Sequence, residues 1–241
     1  MRDTLNLFAR HFTLALHTST RVRPNGAFAP PAAPESELLR ASTAHVPGAG
    51  WLVGIVACLV FAIVSLALRG NGYGPLAAAI ACTMATVALT GALHETALFR
   101  FAESTAPAAG HGPLALLMVL AAKFALLAAL GSTFEAGVIT ALFAGHVVSR
   151  FALVVTDWAA STDGATRSLR IAALWCLVPL ALMALAGGVA FLLAALLVGG
   201  LACFAALRLC RARPDAPAGE RPGVVQQVTE IGFYLGAAIA T

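Results

Sequence analysis

Long apolar runs, each closed by a few polar or turn-forming residues, repeat along this chain from residue 51 onward. Each is about as long as a bilayer crossing, which takes roughly 20 apolar residues in a helix. The run ends place spans at about Trp51–Leu68, Pro75–Leu93, Pro113–Leu130, Phe134–Val155, Leu169–Ala186 and Val189–Leu209, with a weaker seventh at Val224–Ala240. The seventh holds Glu230 and a Gly232-xxx-Gly236 spacing that suits close helix packing. The Gly131-Ser132-Thr133 and Gly187-Gly188 connections are so short that the helices they join must be antiparallel neighbours.

Upstream the pattern changes. Leu5, Phe8, Phe12 and Leu16 recur at three- and four-residue spacing, which predicts an interfacial helix within residues 1–18. Pro24, Pro30, Pro31 and Pro34 then exclude regular helix over 23–34. A short surface helix is expected at Glu35–Ala41, ahead of Pro47-Gly48. The predicted fold is all-α: an N-terminal interfacial helix and Pro-rich segment (1–48), then a polytopic membrane helix bundle (49–241) of about six to seven transmembrane helices.

Composition agrees. Hydrophobic residues make up 60% of the 241 and charged residues only 11%, against about a quarter charged in a soluble domain. The alternating pattern of an outer-membrane barrel is absent. With the N-terminus placed in the cytoplasm of an inner-membrane protein, all 15 lysines and arginines except Arg69 and Lys123 fall on the inner side. Scattered in this way they form no patch for nucleic acid. The five cysteines include no CxxC pair, so neither a disulfide framework nor a zinc site is expected. Arg2, Asp3, Arg10 and His11 interrupt the first 18 residues, which argues against a cleavable signal peptide.

The same orientation puts the three longest connections, 94–112, 156–168 and 210–223, on the cytoplasmic side with most of the ionisable residues, Asp163 among them. His94-Glu95 closes the second span. It opens like the zinc-protease pattern HExxH, but Leu98 stands where the second histidine must be. Glu95 and Glu103, about 80° apart around a helix, could approach one Mg²⁺ with ligands from other loops, or simply mark a solvated helix end. Lys123 and Glu230 lie inside spans and should face the bundle interior as a structural pair or a relay. His146 and Arg150 share a helix face, where Arg150 suits either a phosphate or lipid headgroups.

Several of these pieces, in this order, resemble the cobalamin synthase (adenosylcobinamide-GDP ribazoletransferase) family. Phe12 to Pro24 is similar to a family opening of FLTR, a branched residue and Pro. Val46-Pro47 with Gly54 resembles FPLVG, and Leu89-Thr90-Gly91-Ala92-Leu93-His94-Glu95 resembles LTGALHEDGLAD. Lys123 takes the place of a lysine in the next span, Ser149-Arg150 that of an SR pair, and Gly223 to Glu230 that of the closing GATQQ…E. Thr96 to Ser104 departs from the family's aspartate-rich DGLADTxDG, keeping only Glu103 as a carboxylate in register, and Ala218-Gly219-Glu220 stands for TGD.

The resemblance implies a membrane transferase of late cobalamin assembly, joining adenosylcobinamide-GDP to α-ribazole or its phosphate with release of GMP. It implies Mg²⁺ held by Glu95, Glu103 and Glu220, with His94, Glu95 and Arg150 as catalytic residues. The implied partners are corrinoid and nucleotide substrates, the lipid bilayer, and further copies of the chain or other corrinoid-assembly proteins. A catalytically silent paralogue and a small transporter using Lys123, His146 and Glu230 stay open as alternatives.

Overall fold

The structure, a computed structural model, describes residues 2–26, 29, 34–105, 110–160 and 166–241. Pro30, Pro31 and Asp163 lie outside these. The described elements are helices: α1 (Arg2–Ser19), α2 (Ser36–Thr43), α3 (Val46–Ala67), α4 (Gly74–Thr90), α5 (Leu93–Thr105), α6 (His111–Thr133), α7 (Glu135–Ala160), α8 (Thr166–Arg211) and α9 (Arg221–Ile239), with a 3₁₀ turn at Ala218–Glu220. Four of the described helices, α3, α6, α7 and α8, are long and apolar enough to cross a bilayer, and the bent α4–α5 pair would make a fifth span.

Two expected boundaries move. α3 starts at Val46 instead of Trp51, because Pro47 sits in its first turn, where a missing N–H costs nothing and the fixed φ favours helix. The second span stops at Thr90 instead of Leu93. Gly91 (φ 70°) and Ala92 (φ 56°) are both left-handed, which ends the helix, and α5 leaves at 87° to α4. His94-Glu95 therefore opens a 13-residue helix rather than a loop. The N-terminal segment clamps this corner. The Arg21 N–H donates to the Leu89 carbonyl at 2.7 Å, and the Arg21 side chain lies over Gly91.

At 46 residues, α8 would reach about 69 Å if straight, more than twice the roughly 30 Å hydrocarbon core. It is not straight. Gly188 (φ 81°, ψ 171°) breaks it between the expected fifth and sixth spans. Near the start of α8, the Trp175 carbonyl accepts from Trp51 Nε1 at 2.9 Å. Near its end, Cys210 Sγ points at the Arg221 carbonyl, 4.0 Å away. Val46, which precedes Trp51 by little more than a turn, borders one cleft with Pro222, so α8 returns to the end of the bundle from which it began.

The last helix occupies the centre. α9 packs against α5, α6, α7 and α8, although it is not among the helices apolar enough to cross a bilayer on their own. Its Gly232 lets α8 approach so closely that a Cβ there would stand 3.0 Å from the Val198 carbonyl oxygen. Phe61, Leu127, Leu142, Met183, Phe191 and Phe233 fill the core around it.

α1 covers the polar end of the bundle. Phe8 and Phe12 stack on Trp175 at centroid distances of 6.0 and 5.5 Å. Trp175 Nε1 in turn donates to Nδ1 of the buried His45 at 3.4 Å. Burial, with a smaller contribution from His11, pushes the His45 imidazole down to about 4. It therefore remains a neutral acceptor at neutral pH. Leu5 and Leu7 stay exposed on α1.

The corner can be tested by comparing two left-handed glycines. Gly91→Ala must bear both the left-handed strain, about 1–2 kcal/mol, and displacement of Arg21, whose Nε would stand 2.6 Å from the new Cβ. Gly70, at φ 85°, has open space around it. Thermal denaturation in detergent should show the larger loss for Gly91→Ala than for Gly70→Ala. Equal losses would mean that Arg21 does not clamp the corner.

Candidate functional site

Inside an apolar bundle every polar side chain must find a partner, and α9 supplies most of them. Gln227, Glu230 and Tyr234 stand at i, i+3 and i+7, so they share one face. Glu230 Oε1 lies 3.1 Å from Lys123 Nζ of α6 and 3.5 Å from His146 Nδ1 of α7. It also accepts the Tyr234 hydroxyl at 3.1 Å. Lys123 Nζ donates a second bond, at 3.3 Å, to Gln227 Oε1. Gln227 Nε2 donates onward to Glu95 Oε1 at 2.8 Å. Lys123 and Glu230, the two costly mid-span charges, therefore meet.

α5 delivers His94 and Glu95 to the same place, and both are buried. The corner before α5 is what allows this, since it turns the first residues of α5 back over the bundle interior. Gly223 of α9 faces α5 without a side chain, packed on Ala97 and the His94 backbone. From α7, Arg150 enters at 1% exposure, its Nη1 donating to the His146 carbonyl at 2.9 Å. An arginine so enclosed does not reach lipid headgroups. Lys123 and Arg150 balance Glu95 and Glu230 in formal charge, with the imidazoles counted neutral.

Two spaces meet at His94. A cleft of about 240 Å³ opens at the polar end between α1, α5 and the start of α9, bordered by Ser19, Leu93, His94, Glu220 and Gly223. Beneath it, His94, Glu95, Lys123, Arg150, Gln226 and Gln227 surround a space of about 10 Å³, near the minimum for one water. His94 Nε2, Glu95 Oε2, Arg150 Nε and Gln226 Oε1 have no hydrogen-bond partner. Left empty, such buried groups cost about 1–3 kcal/mol each. Unused hydrogen-bonding capacity of both signs, donor and acceptor, therefore gathers around this space.

The three carboxylates expected to hold a metal do not converge. Glu95 Oε1 is engaged by Gln227. Glu103 Oε1 accepts the Gly112 N–H at 2.7 Å, capping the start of α6. Glu220 Oε1 pairs with Arg100 at 3.3 Å, with the Arg100 side chain 65% exposed. Among the described residues no group of three His, Cys, Asp or Glu side chains could share a metal ion. As arranged, Glu95, Glu103 and Glu220 do not fit a resident Mg²⁺, which needs a tight octahedral oxygen shell.

Charge does not single out Gln226, Gln227 or Tyr234, although the two glutamines fall within the closing segment that resembles GATQQ…E. Their signal is positional: two amides and a phenol in an apolar helix, on or beside the face of Glu230.

Residues 11–106 match the family described as cobalamin-5-phosphate synthase. The chain is 35% identical to the adenosylcobinamide-GDP ribazoletransferase of Polaromonas naphthalenivorans strain CJ2, over 97% of this chain and 99% of that one. A protein of the same name from Polaromonas sp. strain JS666 is 34% identical over 99% of each chain. That of Albidiferax ferrireducens is 31% identical over 98% of this chain and 99% of its own. No solved structure matches.

The buried pair predicts a non-additive response. Lys123→Met removes the ammonium in contact with Glu230, and losing one partner of a buried pair costs about 3–5 kcal/mol. Denaturation of the detergent-solubilised protein should show Lys123→Met less stable than Lys123→Met combined with Glu230→Leu. Single losses that add in the double variant would contradict the pairing.

Proposed function

The chain belongs to the cobalamin-5-phosphate synthase family, and from that premise we propose that it joins adenosylcobinamide-GDP to α-ribazole or its phosphate at the floor of the cleft, where His94 meets the buried polar cluster. The relatives' shared name supplies the substrate class. A ribose hydroxyl oxygen of the ribazole attacks the corrinoid-side phosphorus of the pyrophosphate. The bond from that phosphorus to the bridging oxygen breaks, GMP leaves, and the hydroxyl proton passes to an acceptor on the protein.

The observation that carries this reading is the continuity at His94. One imidazole borders both the open cleft and the enclosed cluster, with its Nε2 free of any partner. Phosphoryl transfer asks for positioning and charge neutralisation rather than covalent help. His94 and the free Glu95 Oε2 offer proton acceptors at the floor. Arg150, whose Nε has no hydrogen-bond partner, lies just beneath and places a guanidinium in a low-dielectric medium, where it acts more strongly on phosphoryl oxygens than it would in water. Magnesium enters this reading as an ion arriving on the substrate's pyrophosphate, because Glu95, Glu103 and Glu220 stand apart. Nucleotide substrates and the one-sided distribution of basic residues support a cytoplasmic cleft in an inner-membrane protein.

Purified protein given adenosylcobinamide-GDP, α-ribazole phosphate and Mg²⁺ should release GMP. Glu95→Gln, which keeps the size of the side chain, should lower turnover by about 100-fold or more. Substrate binding without GMP release by the unaltered protein would make it a binding paralogue. Full turnover by Glu95→Gln would move the transfer site elsewhere.

A further inference from the structure

Every hydrogen bond along the buried file Tyr234–Glu230–Lys123–Gln227–Glu95 has a settled direction. The Tyr234 hydroxyl and the Lys123 ammonium both donate to Glu230, and Lys123 donates to the Gln227 carbonyl oxygen. The Gln227 amide nitrogen then donates to Glu95 Oε1. A glutamine amide can be turned over, exchanging oxygen and nitrogen. Here the turned form would put –NH₂ against the Lys123 ammonium and a carbonyl oxygen against the Glu95 carboxylate, so both contacts would become repulsive. Lys123, itself anchored by Glu230, thus dictates which end of Gln227 faces Glu95. Gln227 in turn occupies Oε1 and leaves Oε2 as the one Glu95 oxygen without a partner, in the same small space as His94 Nε2.

We propose that Gln227 is a positioning residue of the transfer site: held by Lys123, its amide fixes the Glu95 carboxylate so that Oε2 alone is presented beside His94. The proposal rests on the reading that transfer takes place at His94 and Glu95. The file runs from α9 through Lys123 of α6 to Glu95, the chain neighbour of His94 on the cleft border, which gives the buried Lys123–Glu230 pair a task beyond packing. It also accounts for an amide, rather than an apolar residue or a carboxylate, at position 227. An apolar side chain would free Glu95 to rotate, and a carboxylate would face Glu95 with like charge.

The test measures steady-state turnover by the full-length protein in detergent, with adenosylcobinamide-GDP and α-ribazole phosphate. Gln227→Met should reduce kcat by about 10- to 100-fold, the scale set by misplacing a reacting group, while KM for both substrates stays near its original value. Unchanged kcat, or a rise in KM alone, would overturn the proposal. Should Gln227→Met fail to fold, Gln227→Glu preserves length and the bond to Lys123 and should show the same loss of kcat; turnover at the original rate would overturn the proposal equally.

The exchange Glu95→Gln with Gln227→Glu rebuilds the 95–227 hydrogen bond with its direction reversed. It should recover thermal stability relative to Gln227→Glu alone without recovering turnover. Turnover regained together with stability would show that the bond serves packing only. Failure of the premise looks different. Full activity of Glu95→Gln by itself removes the transfer site from this cluster, whereas an inactive Glu95→Gln beside a fully active Gln227→Met leaves the site standing and removes only the role of Gln227.

Discussion

Four charged side chains with almost no solvent contact have to neutralise one another inside this bundle, and the helices around them are arranged to let that happen. Lys123 comes from α6, Arg150 from α7, Glu95 from α5 and Glu230 from α9. An isolated charge in such a place would cost several kcal/mol even after relaxation. The four charges come from four different helices, so neutralising them brings those helices together at one level. That requirement explains why α9, with two glutamines and a glutamate on its buried side, lies at the centre of the bundle rather than at its lipid-facing edge. Gly145, Gly223 and Gly232 let helices close on it, and each would bring a Cβ into contact with a neighbouring helix.

The corner between α4 and α5 turns this packing arrangement into a site. A straight second span would have carried His94 and Glu95 away from Gln227 and the buried charges of α6 and α7. The left-handed pair Gly91-Ala92 and the 87° turn fold them back over the cluster. There one face of His94 meets the cleft while Glu95 joins the buried network. The N-terminal segment, through Arg21 on Gly91 and through α1 on Trp175, holds the corner from outside and forms one wall of the same cleft.

Much of this was legible in residue order. Apolar runs located α3, α6, α7 and α8 as helices of membrane-crossing length, and the Gly187-Gly188 pair located the break in α8. The cost of mid-span charge singled out Lys123 and Glu230 as interior residues. The corner at Gly91 was not legible, because Leu89 to Leu93 continues an apolar run and a left-handed Ala92 leaves no compositional mark. The fate of Glu103 and Glu220 was equally hidden. Helical spacing relates residues within one helix, whereas Glu103 caps the next helix and Glu220 meets Arg100 across 120 positions of chain. Gln227 carried no charge to betray it. Its importance comes from standing between an ammonium and a carboxylate contributed by two other helices.

The claim that the cleft above His94 receives the activated corrinoid is tested most directly by substrate protection. With Cys58, Cys82, Cys176, Cys203 and Cys210 replaced, a single cysteine at Leu93, on the cleft border and 46% exposed, would be alkylated by a soluble maleimide in the presence and absence of adenosylcobinamide-GDP. Tyr73→Cys, at a 78% exposed position remote from the cleft lining, serves as the reference. The account predicts that adenosylcobinamide-GDP slows alkylation of Leu93→Cys and leaves Tyr73→Cys unaffected. Equal rates at Leu93→Cys with and without the substrate, under conditions where the substrate is bound, would contradict it.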